Sequence, residues 1–157
     1  MPVVELYAIC EPINPGGVGA YAFNIEDGYR ELTSGSDVAC VGADCNNVIA
    51  EYHGLIKALE WLVNNGYKNE LVIIRITDVI MAYQLEGVIR VTKPYEKLYK
   101  RVSDLLDLFH PSIELVDRVL LKFMASDAYI GYMDKHPELV EKYRDYLASE
   151  EELNRLR

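Results

Sequence analysis

Apolar and polar positions alternate over the first forty residues, and the period then changes. Residues 3–10, VVELYAIC, alternate and are rich in β-branched side chains, the pattern of a strand with one face in a core. Pro12, Asn14, Pro15, Gly16 and Gly17 make a turn-forming loop. Residues 18–25 read as a second strand, with Glu26-Asp27-Gly28 as the following turn, and a third strand is expected within 29–42. Short turns between successive strands imply antiparallel pairing.

From Tyr52 onward the spacing is helical. Tyr52, Leu55, Ile56, Leu59, Leu62 and Val63 recur every three or four positions, and Asn64-Asn65-Gly66 supplies a stop. The run LVIIRI at 71–76 is almost continuously apolar, which predicts a strand covered on both faces. Residues 78–86 predict a short helix closing at Gly87. Another begins near Pro94, with Tyr95, Leu98, Val102, Leu105 and Phe109 on one stripe. His110-Pro111 ends that helix, and a last strand is predicted at 112–119. Helices follow around 124–133 and from Pro137, the second carrying Leu139, Val140, Tyr143, Tyr146 and Leu147; Ser149 with Glu152 fits a capping box. The order βββ-α-β-αα-β-α predicts an α/β domain with a mixed five-stranded sheet, three antiparallel strands and then two more, over residues 1–133. A helical extension over 134–157 is expected to cover the same domain or a partner.

A chain of 157 residues, half of it apolar, is long enough for one well-buried core. No apolar run reaches the length of a membrane span, and the start, MPVVELYAIC, lacks a basic segment followed by a long apolar one. A cytoplasmic protein is expected. Three cysteines are too few and too unevenly spaced for a disulfide framework or a zinc site, so Cys10, Cys40 and Cys45 are expected as buried free thiols. The formal net charge of −9 counts against a broad basic footprint for nucleic acid. The densest basic cluster lies at Arg90, Lys93, Lys97, Lys100 and Arg101, where Lys97 and Arg101 share a helix face. His53, His110 and His136 adjoin no nucleophile motif, and the loop at Asn14–Gly17 is followed by no Gly-Lys-Ser/Thr, which argues against a hydrolytic triad and a P-loop.

Several local motifs point further. Cys10-Glu11-Pro12-Ile13-Asn14-Pro15-Gly16-Gly17 and Asn46-Asn47-Val48-Ile49-Ala50-Glu51-Tyr52-His53-Gly54-Leu55-Ile56 resemble the loop after the first strand and the first helix of archaeal-type ribonuclease HI. Gln84 with Gly87, and Ala125-Ser126-Asp127, are similar to two further elements of that family. The resemblance spans residues 3–133 and implies a ribonuclease H-like fold. It also implies two-metal hydrolysis of the RNA strand of RNA/DNA hybrids by Mg²⁺ or Mn²⁺, held by four carboxylates. The family places one carboxylate on the first strand, one on the first helix, one at the end of the fourth strand and one on the last helix.

Glu51 matches the helix position and Asp127 the last one. The first-strand position falls on Tyr7, a neutral phenol and a poor magnesium ligand. Glu5 lies on the same face but about 6.5 Å along the strand. The fourth-strand position falls on Thr77 when counted back from Gln84, or on Asp78 with a one-residue deletion. The resemblance also implies nucleic-acid contacts at Asn14, Asn47, Lys97 and Arg101. The expectation is a catalytically impaired or inactive ribonuclease H-like module that binds nucleic acid or a protein partner. The alternatives are a divergent Mg²⁺-dependent ribonuclease H and a self-associating scaffold, a homodimer included.

Overall fold

A computed structural model describes residues 1–117 and 119–147. Three strands open the chain: β1 (Pro2–Glu11), β2 (Val18–Asp27) and β3 (Arg30–Val41). The helix α1 (Asn47–Asn64) leads to β4 (Leu71–Ile76) and the short α2 (Val79–Leu85). A 3-10 turn at Lys93–Tyr95 enters α3 (Glu96–Leu106), followed by β5 (His110–Leu115), α4 (Lys122–Lys135) and α5 (Pro137–Lys142). The sheet order is β3-β2-β1-β4-β5; β1, β2 and β3 are antiparallel, while β4 runs parallel to both β1 and β5. This is the mixed five-stranded α/β architecture that the sequence pattern predicts.

The alternation in β1 divides its side chains between two cores. Val4 and Leu6 join the apolar cluster under α1 and α3, whereas Ile9 and Tyr7 belong to a second cluster under α4. α1 is the main support of the first core, burying Val48, Tyr52, Leu55, Leu59 and Leu62. Its close approach to β2 depends on Gly54, where a Cβ would lie 3.2 Å from the Tyr21 side chain. Asn46 caps the helix: its side-chain oxygen accepts from the Ile49 N–H at 2.8 Å.

Three expectations change. The last strand ends at Leu115 rather than 119, because its partner β4 ends at Ile76, opposite Leu115, and leaves nothing to pair with. β4 is covered on one face only. Val72, Ile74 and Ile76 are fully buried, but Ile73 and Arg75 are half-buried and Leu71 is exposed, because α4 packs over β1, β2 and β3 instead. Arg75 is held on that thinner face by Glu5 at 2.6 Å and Glu114 at 3.2 Å. Finally, Cys40 and Cys45 form a disulfide, because the turn between β3 and α1 folds back and brings their Cα atoms to 5.4 Å; Cys10 alone is a free, buried thiol.

Pro111 sits on the edge strand β5 without cost. The His110 and Val116 amides donate toward β4, so the intervening odd-numbered positions face outward, where the missing proline N–H leaves no ladder bond unmade. In the extension, Tyr143 is buried in the second core and its hydroxyl donates to the Gly16 carbonyl at 2.8 Å. The capping box expected at Ser149 lies outside the described residues. Among the described residues no helix is long and apolar enough to cross a membrane.

Candidate functional site

Four elements meet at the carboxyl end of β4. β4 ends at Ile76, which delivers Thr77 and Asp78 to the first turns of α1, beside the middle of β1. Glu51, one turn into α1, points inward and is 1% exposed. The Thr77 hydroxyl donates to Glu51 Oε1, and the Asp78 backbone N–H donates to Oε2 at 3.1 Å. Burial pushes the Glu51 carboxyl up to about 7, against the downward pull of the hydrogen bonds from Thr77 and Asp78.

Asp78 is occupied differently. Its Oδ1 accepts from the Met81 N–H at 2.9 Å, capping α2, and its Oδ2 accepts from Asn47 Nδ2 at 3.0 Å. Asn47 is in turn tied to Asn14, which donates from Nδ2 to Asn47 Oδ1 at 2.8 Å and accepts the Asn47 N–H at 3.3 Å. A chain of hydrogen bonds therefore runs from the β1–β2 loop through the start of α1 to the start of α2. Tyr7, Asn47, Thr77, Asp78 and Asp117 line an adjoining cavity of about 230 Å³. Burial, followed by the charges of Glu11 and Glu51, pushes the Tyr7 phenol above its ordinary pKa, so it stays neutral.

The structure brings Tyr7, Asn14, Asn47, Glu51, Thr77 and Asp78 into one neighbourhood. Asp127 stands elsewhere. α4 turns Ala125, Tyr129 and Met133 into the sheet, and a residue two positions after Ala125 lies about 200° around the helix. Asp127 is exposed there and lines a separate cavity of about 350 Å³ with Ser36 and Asp37 of β3. Lys97 and Arg101 are exposed on α3, away from the cavity beside Thr77; Arg101 lies 3.8 Å from Glu60 of α1. Gln84, part of the sequence resemblance, is buried, and its Oε1 accepts from the Tyr52 hydroxyl at 2.8 Å.

Asp117 was not among the residues the sequence singled out, because the strand predicted over 112–119 hid it in a ladder. A larger cavity of about 490 Å³ also lay beyond sequence reasoning. Pro15, Asp44, Asn46, Lys93 and Tyr95 line it, and Asn46 Nδ2 donates to the Tyr95 hydroxyl at 2.9 Å. The sequence singled out Pro15, Asn46 and Lys93 separately, in three different motifs, with nothing to bring them together.

No family model and no curated protein matches this chain. Solved structures do. The N-terminal ribonuclease H domain of rv2228c from Mycobacterium tuberculosis is 22% identical with a TM-score of 0.70, the match covering 81% of this chain and 97% of that one. The chain has the ribonuclease H fold. Ribonuclease H1 from the halophilic archaeon Halobacterium salinarum is also 22% identical at a TM-score of 0.70, over 83% of this chain and 98% of that one. LC11-RNase H1, solved in complex with an RNA/DNA hybrid, is 20% identical at a TM-score of 0.62, over 73% of this chain and 86% of that one.

A pair of Mg²⁺ ions needs several convergent oxygen ligands. Among the described residues of this ribonuclease H fold, no group of three or more His, Cys, Asp or Glu side chains is placed to hold a metal ion. Glu51 is buried with both oxygens hydrogen-bonded, Asp78 spends both oxygens on Met81 and Asn47, and Tyr7 offers a neutral phenol. As arranged here, the oxygens of Glu51 and Asp78 are engaged by hydrogen bonds within the protein, and Asp117 lines the same cavity as Asp78.

Proposed function

We propose that this protein is a ribonuclease H-fold module that binds a nucleic-acid backbone without hydrolysing it. The observation that carries the reading is the Thr77 hydroxyl bonded to the buried Glu51 carboxylate, where a metal-binding centre would need a second carboxylate. Burial keeps Glu51 partly protonated in the core, and the Thr77 hydroxyl fixes its carboxyl there as a structural group instead of a cation ligand.

Backbone binding is supported by the start of α1. Asn47, hydrogen-bonded to Asn14, lines the smaller cavity, and Asn46 and Lys93 line the larger one, which offers amide donors and a cation to phosphate oxygens. LC11-RNase H1, solved with an RNA/DNA hybrid, has the same fold. The net charge of −9 limits such binding to a small footprint, and a shallow salt dependence is expected.

A second reading, docking of a protein partner, is favoured by one observation. Val79, Ile80 and Tyr83 of α2 and the following Val88 and Ile89 are exposed side by side in the chain.

A labelled RNA/DNA hybrid separates the possibilities. Incubated with Mg²⁺ or Mn²⁺, it should remain intact while shifting in a gel at low salt, and Lys93→Glu should weaken the shift. Metal-dependent cleavage lost in Asp78→Asn would defeat the non-hydrolytic reading. No shift at any salt concentration would leave the protein-docking reading in its place.

A further inference from the structure

The disulfide lies where β3 hands over to α1. Cys40 is the penultimate residue of β3, and Cys45 immediately precedes Asn46, the cap of α1. The two sulfurs rest over Gly19 of β2, where a Cβ would come within 2.7 Å of each. Only one end is accessible: Cys45 is 1% exposed, whereas Cys40 is half-buried.

The residues between them form a small loop that leaves the sheet after Val41. Val41, Ala43 and Asp44 are exposed. Three backbone hydrogen bonds of 2.9 Å hold the loop: the Gly42 N–H to the Gly17 carbonyl, the Cys45 N–H to the Gly42 carbonyl, and the Gly16 N–H to the Cys45 carbonyl. The same loop contributes Asp44 to the larger cavity, which Lys93 also lines. Cys10 lies nearby, its thiol 3.3 Å from the Ile13 carbonyl and 3.7 Å from that of Cys45. Burial raises the Cys10 pKa, which keeps it a thiol and a poor competitor for exchange.

We propose that the Cys40–Cys45 disulfide is a reversible redox clasp on the start of α1, opened by a dithiol reductant attacking at Cys40. The reductant's thiolate bonds to Cys40 Sγ and expels Cys45 as thiolate. The reductant's second thiol then displaces Cys40 from the mixed disulfide. Two electrons pass from the reductant, which leaves as its own disulfide, and two protons end on the cysteines. Opening frees the 41–45 loop and loosens Asn46 and Asn47, and with them one wall of the larger cavity. The clasp does not depend on whether that cavity receives nucleic acid.

The test is hydrogen exchange on the native full chain before and after dithiothreitol, with thiols counted by alkylation after a denaturing quench. One thiol per chain should become three without denaturant present during reduction. Amides of Gly42, Cys45 and the first turn of α1 should then exchange faster by about tenfold or more, the scale set by closing so short a loop, while β4 is unchanged. A Cys40→Ser/Cys45→Ser variant should exchange fast there without dithiol and ignore it, and Cys10→Ser should keep the full response. The proposal is overturned if the bond resists dithiothreitol until the chain unfolds, if reduction leaves the loop's exchange unaltered, or if β4 accelerates equally. Failure of the double variant to fold would likewise make the bond a structural staple and not a clasp.

Discussion

Glu51→Gln interrogates the site through stability, before any nucleic acid is added. Burial holds the Glu51 pKa at about 7 against an ordinary 4.5, so the folded chain binds this proton more tightly than the unfolded one. The stabilisation this provides is complete below about pH 4.5 and is lost as the pH rises through 7. Its size is on the order of 3 kcal/mol, roughly 6–12 °C in Tm for a domain of this length. Glutamine keeps the shape and cannot ionise. Its amide oxygen can accept from the Asp78 N–H while its nitrogen donates to the Thr77 hydroxyl oxygen, so any offset is the same at every pH and leaves the slope alone. His53 titrates in the same window with the opposite sign, its pKa lowered by burial and then by Lys57, so its stability contribution grows with pH. Both proteins contain it, and their difference isolates Glu51. Urea denaturation of the oxidised proteins from pH 5 to pH 8 should move the difference in ΔG by about 2–3 kcal/mol in favour of the glutamine variant. Curves that stay parallel across that range would refute the idea that Glu51 is held as a buried, partly neutral group.

Three other variants probe the same fold and site. Thr77→Val removes a hydrogen bond that lowers the Glu51 pKa, so the carboxyl should titrate at still higher pH by NMR; an unchanged midpoint would mean the hydroxyl is not its partner. Tyr7→Asp with Thr77→Asp adds two carboxylates beside Glu51 and should create measurable Mg²⁺ binding by calorimetry. No heat from a variant with wild-type circular dichroism would show that these positions do not converge on a cation. Gly54→Ala places a Cβ 3.2 Å from Tyr21 and should cost about 1–3 kcal/mol in chemical denaturation, and a neutral effect would mean α1 can lift from β2 freely.

The order of elements was legible because each strand or helix with a buried face carries its own period. β1 shows this plainly, since its two faces enter two different cores and its alternation survives in both. What sequence could not supply was where elements end, because an end depends on a partner distant in the chain. β5 keeps its apolar character to Val119, yet it stops at Leu115 because β4 stops at Ile76. The disulfide was missed for a related reason, as a spacing of five residues gives no sign that the intervening loop folds back over Gly19.

The candidate site depends on element ends more than on periods. Counting along β4 left Thr77 and Asp78 as rivals for one position, since neighbouring residues of a strand face opposite sides. Both reach Glu51, the first through its hydroxyl and the second through its backbone N–H, because the strand is already turning into α2 at this point. Asp78 then needs its carboxylate for the cap of α2, so a short helix start and a cation compete for the same two oxygens. Oδ1 goes to Met81 of α2 and Oδ2 to Asn47 of α1. Asp127 is the converse case: its identity matched, but the rotation of α4 that buries Ala125 and Tyr129 turns it toward β3. Carboxylates matched one at a time in sequence converge only where core packing aims them at one point: here the turn into α2 keeps Asp78 beside Glu51, while the packing of α4 sends Asp127 to β3.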